Sequence, residues 1–217
     1  MRMRPWSYSR LSTWETCPRQ FQYYYVEKLE GHRPESPAAN RGLLIHDKAD
    51  KYLRGELKMY PFEFQKVSGH MMLLKAKKVQ SEVKLAVKED WTPCDYKAED
   101  AYFRAILDVL YVENGICHIQ DHKTGEVYPS HPIQLADYVP IAAAHYPNME
   151  YETRLIYVDK GVVTPPKKTA SDKLKGIKIM LDGRIKNAED DDIFPTRAGS
   201  HCKWCDYSSR YGGPCAF

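Results

Sequence analysis

The chain has 217 residues, of which 43% are hydrophobic and 28% charged, with a net charge of +3; this is ordinary globular usage and excludes a mainly disordered protein. At about 150 residues per domain the length corresponds to one elaborated domain, large enough to bury a core without disulfides. No run approaches the ~20 apolar residues that span a bilayer, and no apolar run follows the basic start MRMRPWSYSR, so a soluble cytoplasmic protein without a signal peptide is expected.

In chain order, Ser9 or Ser12 is expected to cap a short helix carrying Leu11 and Trp14. Cys17-Pro18 ends it, and Pro18 suits the first turn of a second helix through Phe21 and Tyr25. Residues 31–39 (GHRPESPAA) read as a loop, and Asn40 as the cap of a helix over 41–53 with Leu44 and Ala49 inward. Phe64, Val67, Met71, Leu74, Val79 and Val83 have roughly helical spacing, which predicts a long amphipathic helix over 63–89 running into a strand near 82–87. Residues 101–112 and 116–123 read as strands joined by the turn Glu113-Asn114-Gly115. Ser130 then caps a helix over 131–146, residues 151–158 form a third strand and 177–181 a fourth, and a Gly- and Cys-rich tail begins at Pro195. The pattern implies an α/β core with a helical N-terminal region.

Residues 160–186 contain eight Lys/Arg (160, 167, 168, 173, 175, 178, 184 and 186) against Asp172 and Asp182, and the acidic cluster 189–192 follows. Such a stretch is either a solvated face or a phosphate-facing patch with steep salt dependence. The 16 tyrosines suit a surface that stacks.

Six cysteines stand at 17, 94, 117, 202, 205 and 215. In a reducing compartment a clustered set points to a metal site rather than disulfides. Cys202-x2-Cys205 can clamp one centre, Cys215 adds a third thiolate, and a tetrahedral site needs a fourth ligand. Cys117 falls within a strand and reads as a buried thiol, Cys94 lies in a loop, and Cys17 stands at a helix break before proline. Spacing alone leaves zinc, which it favours, a [4Fe-4S] cluster, and reduced thiols all open.

Asp108 interrupts the apolar run Ala105-Ile106-Leu107-Asp108-Val109-Leu110, and a carboxylate there requires a partner. Asp121 and Lys123, two apart on the next strand, share a face. A hairpin brings Asp108 alongside them. Two carboxylates around a divalent cation with a lysine nearby suit phosphodiester hydrolysis, because the cation activates water and the amine stabilises the crowded phosphorus. Gly42 and His46 lie one helical turn apart, as do Gln134 and Tyr138.

As an ordered set, Cys17-Pro18, Gly42-x3-His46, Leu107-Asp108-Val109, Asp121-x-Lys123-Thr124-Gly125, Gln134-x3-Tyr138 and the terminal Cys202-x2-Cys205…Cys215 resemble the RecB-type branch of the PD-(D/E)XK nuclease superfamily. Within it the closer resemblance is to the iron–sulfur members, such as the AddB nuclease domain and the CRISPR-associated four-cysteine exonucleases. The resemblance implies a restriction-endonuclease-like core sheet flanked by helices. It divides one nuclease domain into a helical part over 1–60, a core over 61–195, and a cluster-binding tail over 196–217 packed near Cys17. It assigns catalysis to Asp108, Asp121 and Lys123, and metal binding to His46, Asp108, Asp121 and the backbone carbonyl of His122. Cys17, Cys202, Cys205 and Cys215 would hold [4Fe-4S]. Gln134 and Tyr138 would order the site and contact DNA, with Lys167, Lys168, Lys173 and Lys175 as the basic patch. Glu82 falls where members often carry an acidic residue but is not placed among the ligands.

The expected activity is Mg²⁺- or Mn²⁺-dependent DNA exonuclease action in recombination, repair or degradation, with His46 favouring Mn²⁺. No phosphate-loop motif for ATP is present, so single strands, frayed ends, or ends fed by a helicase or recombination partner are the expected substrates. The rivals are a DNA-binding scaffold with a structural four-cysteine metal site, and a structure-selective endonuclease on the same core.

Overall fold

The computed structural model describes residues 4–34 and 36–217; Met1 to Met3 of the basic start and residue 35 of the expected loop over 31–39 lie outside the described residues. The elements are β1 (Trp6–Ser7), α1 (Tyr8–Thr16), α2 (Pro18–Phe21) continued by a π-helical turn (Gln22–Val26), α3 (Pro37–Leu53), a 3₁₀ segment (Phe62–Val67), α4 (Ser68–Ala76), β2 (Gln80–Val87), β3 (Pro93–Cys94), β4 (Phe103–Glu113), β5 (Ile116–Lys123), α5 (Ser130–His145), β6 (Glu150–Tyr157), β7 (Val162–Val163), β8 (Lys167–Thr169) and α6 (Leu174–Glu189). The sheet runs β3-β2-β4-β5-β6-β7, with β1 added beside β4 and β8 beside β6. Pairing is antiparallel except for β5–β6 and β1–β4. The parallel β5–β6 pair needs a crossover, and α5 supplies it.

Helices cover both faces of the sheet. On one face α1, α2, α5 and α6 bury Leu11, Phe21, Leu135, Tyr138, Leu181 and Ile185 against Ala105, Leu107, Cys117, Ile119 and Leu155. On the other, α3, the 3₁₀ segment and α4 bury Ile45, Ala49, Phe64, Met71 and Leu74 against Val109 and Ile156. This is the mixed α/β fold expected from the sequence.

Several local expectations need correction. The cap of α1 is Ser7, whose hydroxyl accepts the Arg10 N–H, because Trp6 and Ser7 are held in extended pairing with β4. The cap of α3 is Ser36 rather than Asn40, with Pro37 at the first helical position, a Ser-Pro start that fits both residues. Ile45, not Leu44, is the inward residue, and Leu44 is exposed. The helix expected over 63–89 is far shorter: α4 ends at Ala76, and Lys78 has a left-handed backbone that breaks the periodicity before β2 begins. Residues 177–181 belong to α6, where Leu181, Ile185 and Ala188 are buried at helical spacing; five residues, apolar but for Lys178, are too few to distinguish helix from strand. Ser130 is the first residue of α5 rather than its cap, since Pro129 already has helical backbone angles.

Two residues of the acidic cluster over 189–192 are structural. Glu189 accepts from the indole of Trp6, and Asp191 from that of Trp14. Arg184 of α6 bonds both Asp137 of α5 and Glu15 of α1. The N-terminal helices are thereby tied to the strand-crossover helix.

Candidate active site

The β4–β5 ladder runs from Glu113↔Ile116 to Val109↔Gln120 and ends there. One residue beyond, the Asp108 side chain reaches the neighbouring strand, and its Oδ2 accepts the His122 N–H at 2.7 Å. His46, from the middle of α3, places Nδ1 3.2 Å from the same oxygen. The α3 backbone has room here: a Cβ built at Gly42 would lie 3.5 Å from Thr124 Oγ1, an ordinary contact, so sterics do not demand glycine beside the imidazole.

The β2–β4 register pairs Ser81 with Val109 and Val83 with Leu107, which brackets Glu82 opposite Asp108. Glu82 has φ +51°, a left-handed conformation that costs a side-chain-bearing residue about 1 kcal/mol or more. The ligand atoms of His46, Glu82 and Asp108 all lie within 4.8 Å of one another. Among the described residues this is the group of His, Cys, Asp or Glu best placed to hold a metal ion. Glu82 is the residue that sequence reasoning left out of the ligand set. Its signal was its position two strands from Asp121, but facing Asp108 depends on a backbone kink within β2.

Asp121 and Lys123 share the other face of β5, as period-2 geometry requires. Lys123 Nζ lies 2.7 Å from Asp121 Oδ2 and donates to Gln134 Oε1 at 2.7 Å; Gln134 Nε2 in turn donates to the Tyr138 hydroxyl at 2.8 Å. Residues 134 and 138 lie one turn apart on α5 and so carry this chain inward. After Lys123 the chain turns at Gly125, φ +74°, where glycine has no steric penalty. The Gly125 N–H donates to Asp159, which also receives the Arg41 guanidinium from α3. The exit from β5 is thereby bound to the helix that carries His46.

His122 points to the opposite face from Asp121. Its ring is buried, edge-on to Phe64 at 5.7 Å and to His46 at 6.3 Å. Neither ring nitrogen makes a hydrogen bond among the described residues, but Nδ1 lies 3.6 Å from Asp108 Oδ2. The sequence drew attention to the backbone of His122; its ring went unnoticed because strand periodicity alone hides which helix covers it.

The electrostatics separate the carboxylates. Burial alone would raise Asp108, but the imidazoles of His122 and His46 beside its carboxylate outweigh it and hold the group below the ordinary carboxylate range. Asp121 moves the other way, raised first by burial and then by the charge of Asp108, with Lys123 opposing. Glu82 is raised by burial and by Asp108. His46 loses affinity for its proton through burial but regains more from Asp108, and ends raised. Three partly or fully buried carboxylates thus face one lysine and the imidazoles of His46 and His122. This excess of negative charge, with oxygen and nitrogen donors, suits a hard divalent cation such as Mg²⁺ or Mn²⁺.

The cysteines divide as follows. Cys17, Cys202, Cys205 and Cys215 line one recess together with Arg19, Tyr23 and Tyr207. Cys117 lies fully buried in the core, its thiol pushed up to about 11 by burial, and Cys94 is half-buried in β3. The nine-residue interval before Cys215 is spanned by a tight turn. Gly212 takes φ +82°, and Gly213 presses so closely on Tyr207 that a Cβ there would meet its backbone at 2.4 Å. Cys215 N–H then bonds Tyr207 O at 2.9 Å, while Tyr207 packs edge-on against Tyr23 at 5.3 Å and its hydroxyl donates to Leu29 O. His201 also borders the recess, its Nε2 3.0 Å from Arg197 O.

The basic stretch also divides. Arg184 belongs to the ionic network, Lys160 pairs with Glu126, and Lys178 lies over Trp91. Lys167 and Lys168 of β8, with Lys173 and Lys175 at the start of α6, are exposed. They lie beside the N-terminal half of β6, since β8 pairs with residues 151–153, whereas Asp121 and Lys123 lie beside Leu155 and Tyr157. The structure therefore does not bring them into the carboxylate cluster.

Comparison with known proteins adds to this geometry. The model of the PD-(D/E)XK nuclease superfamily matches residues 5–210. Among solved structures, SSO0001 is similar with a TM-score of 0.53 at 16% identity, over 100% of this chain and 87% of that one. A candidate exonuclease from Eubacterium rectale is similar with a TM-score of 0.51 at 14% identity, over 92% of this chain and 87% of that one. At such identities the likeness is one of fold. No curated protein matches the sequence. Among the described residues no helix is long and apolar enough to cross a membrane.

Proposed function

Because the chain belongs to the PD-(D/E)XK nuclease superfamily, whose membership implies a divalent metal and a DNA substrate, we propose that it is a metal-dependent DNA exonuclease with a structural iron–sulfur cluster. The observation that carries the nuclease reading is the convergence of His46, Glu82 and Asp108 within 4.8 Å, next to the chain Asp121–Lys123–Gln134–Tyr138.

In this reading His46, Glu82, Asp108 and Asp121 hold Mg²⁺ or Mn²⁺, together with the backbone carbonyl of His122. When bound, the cation supplies Lewis acidity to the phosphate and lowers the pKa of attacking water. Lys123 presents its ammonium to the negative charge that grows on the phosphate oxygens. Asp121 and Gln134 hold that ammonium from two sides, and Tyr138 fixes Gln134. His46 and His122 keep Asp108 ionised, so it is ready to act as a ligand at neutral pH. Lys167, Lys168, Lys173 and Lys175 form an outlying phosphate-contacting patch, supported by their exposure.

Cys17, Cys202, Cys205 and Cys215 hold [4Fe-4S], supported by their shared recess. The cluster staples the tail over 196–217 to the helical part over 1–60, around a nuclease core over 61–195.

End-labelled linear and covalently circular single-stranded DNA, incubated with Mg²⁺, Mn²⁺ or chelator, test the activity. The expected result is metal-dependent loss of linear DNA only, abolished by Asp108→Ala. Cleavage of the circle would make the protein an endonuclease, and binding without degradation would make it a scaffold. Anaerobically prepared protein is expected to be brown with about four irons per chain; a colourless protein with one zinc would overturn the cluster.

A further inference from the structure

Three aromatic rings lead outward from the candidate site. Tyr157 is the register partner of Lys123 across the parallel β5–β6 pair, so its side chain occupies the same face immediately beside the lysine. It is 5% exposed. Its hydroxyl lies 3.3 Å from His131 Nδ1, and the two rings are 5.7 Å apart. His131 is half-buried and stands one turn before Gln134, the residue that holds Lys123. Tyr128 continues the series, its ring edge-on to His131 at 5.4 Å and 55% exposed. The charge of Lys123 adds to burial in lowering the affinity of His131 for a proton, so a neutral ring is favoured beside the ammonium.

The arrangement is not needed for packing, since Tyr128 leaves more than half its surface in water. Nor does it serve the chemistry, because none of the three rings touches a carboxylate of the cluster in any hydrogen bond. It is a graded series, buried at Lys123 and open at the rim, whose outermost member presents an aromatic face. A strand whose phosphate lies at Lys123 carries its next bases over this rim. Aromatic faces take unpaired bases of any sequence by stacking, whereas bases in a duplex keep their faces occupied.

We infer that Tyr128, backed by His131 and Tyr157, is a stacking platform for one unpaired base next to the scissile phosphate. This inference rests on the proposed nuclease reading and adds a base-contacting residue to that site. Tyr128 is the residue that touches the base; His131 and Tyr157 position it.

Binding in chelator tests the platform separately from cleavage. Fluorescence anisotropy is measured with a labelled single-stranded oligonucleotide, with the same strand carrying abasic residues near both ends, and with a blunt duplex. For the intact strand, Tyr128→Ala is expected to weaken binding about five- to hundredfold, and Tyr128→Phe to restore it. For the abasic strand and the duplex, Tyr128→Ala should bind like the wild type. Equal weakening of all three ligands, or of none, overturns the platform, as does wild-type affinity that ignores removal of the bases. If base-dependent binding is found but the wild type degrades nothing in Mg²⁺ or Mn²⁺, the nuclease reading falls and the platform stands.

Discussion

Replacing Lys123 by Met removes the ammonium while keeping the aliphatic length. In the structure that ammonium lies 2.7 Å from both Asp121 Oδ2 and Gln134 Oε1, with a side chain 15% exposed against 4% for Asp121. Removing one preorganised group that faces developing charge costs about 10²–10³ in kcat, or about 2.7–4 kcal/mol. The fold loses less. Asp121 is left without its counter-charge, but its proton affinity is already raised by burial and by Asp108, so it can take up a proton instead of remaining an unpaired anion. Losing the partner of one such group costs about 1–3 kcal/mol, a fall of roughly 2–12 °C in Tm for a chain of this size. Initial rates of nucleotide release from linear DNA, affinity for DNA in chelator, and calorimetric Tm separate these effects. The expected outcome is a rate at or below about 1% of wild type, near-normal DNA affinity, and a folded protein. A clean, folded Lys123→Met protein that retains a tenth or more of the wild-type rate would refute the assignment.

Three further outcomes are expected. Glu82→Gln keeps the shape of the side chain but removes one negative charge from the metal group, and should raise the divalent-cation concentration for half-maximal activity at least about tenfold, read from Mg²⁺ and Mn²⁺ titrations; an unchanged titration would remove Glu82 from the ligand set. Gly213→Ala forces a Cβ against the Tyr207 backbone, where 2.4 Å is available; it should cost about 1–3 kcal/mol and lower the iron content, whereas Gly69→Ala, with nothing within 4 Å, should leave the iron content unchanged. Arg184→Met leaves Asp137 buried without its guanidinium and should cost about 3–5 kcal/mol in denaturant unfolding, with Asp137→Asn added to the same protein recovering part of the loss; full stability in the single variant would contradict the network.

How much of this was legible depends on the range of the interaction involved. The hairpin over β4 and β5 could be read locally, because Asn114 and Gly115 both take the left-handed backbone that a tight two-residue turn needs. The common face of Asp121 and Lys123, and of Gln134 and Tyr138, followed from the periods of strand and helix. The register between separate segments was not available in this way. Leu107 and Leu110 pack in the same core while Val109 packs in the other, so the alternation slips at Asp108, and no local pattern reports a slip.

The sequence by itself determined the class of fold, the strand pair with its acidic and basic side chains, and a thiol set split between the two ends of the chain, because these depend on residue type and short-range periodicity. Only the tertiary structure decided that Glu82 joins His46 and Asp108, that residues 177–181 belong to a helix, that Gly213 folds Cys215 back on Tyr207, and that Tyr157 brings an aromatic series to Lys123. Each of these depends on strand register or on which surface buries which, and such choices are settled by the packing of the whole chain rather than by the preference of any one segment.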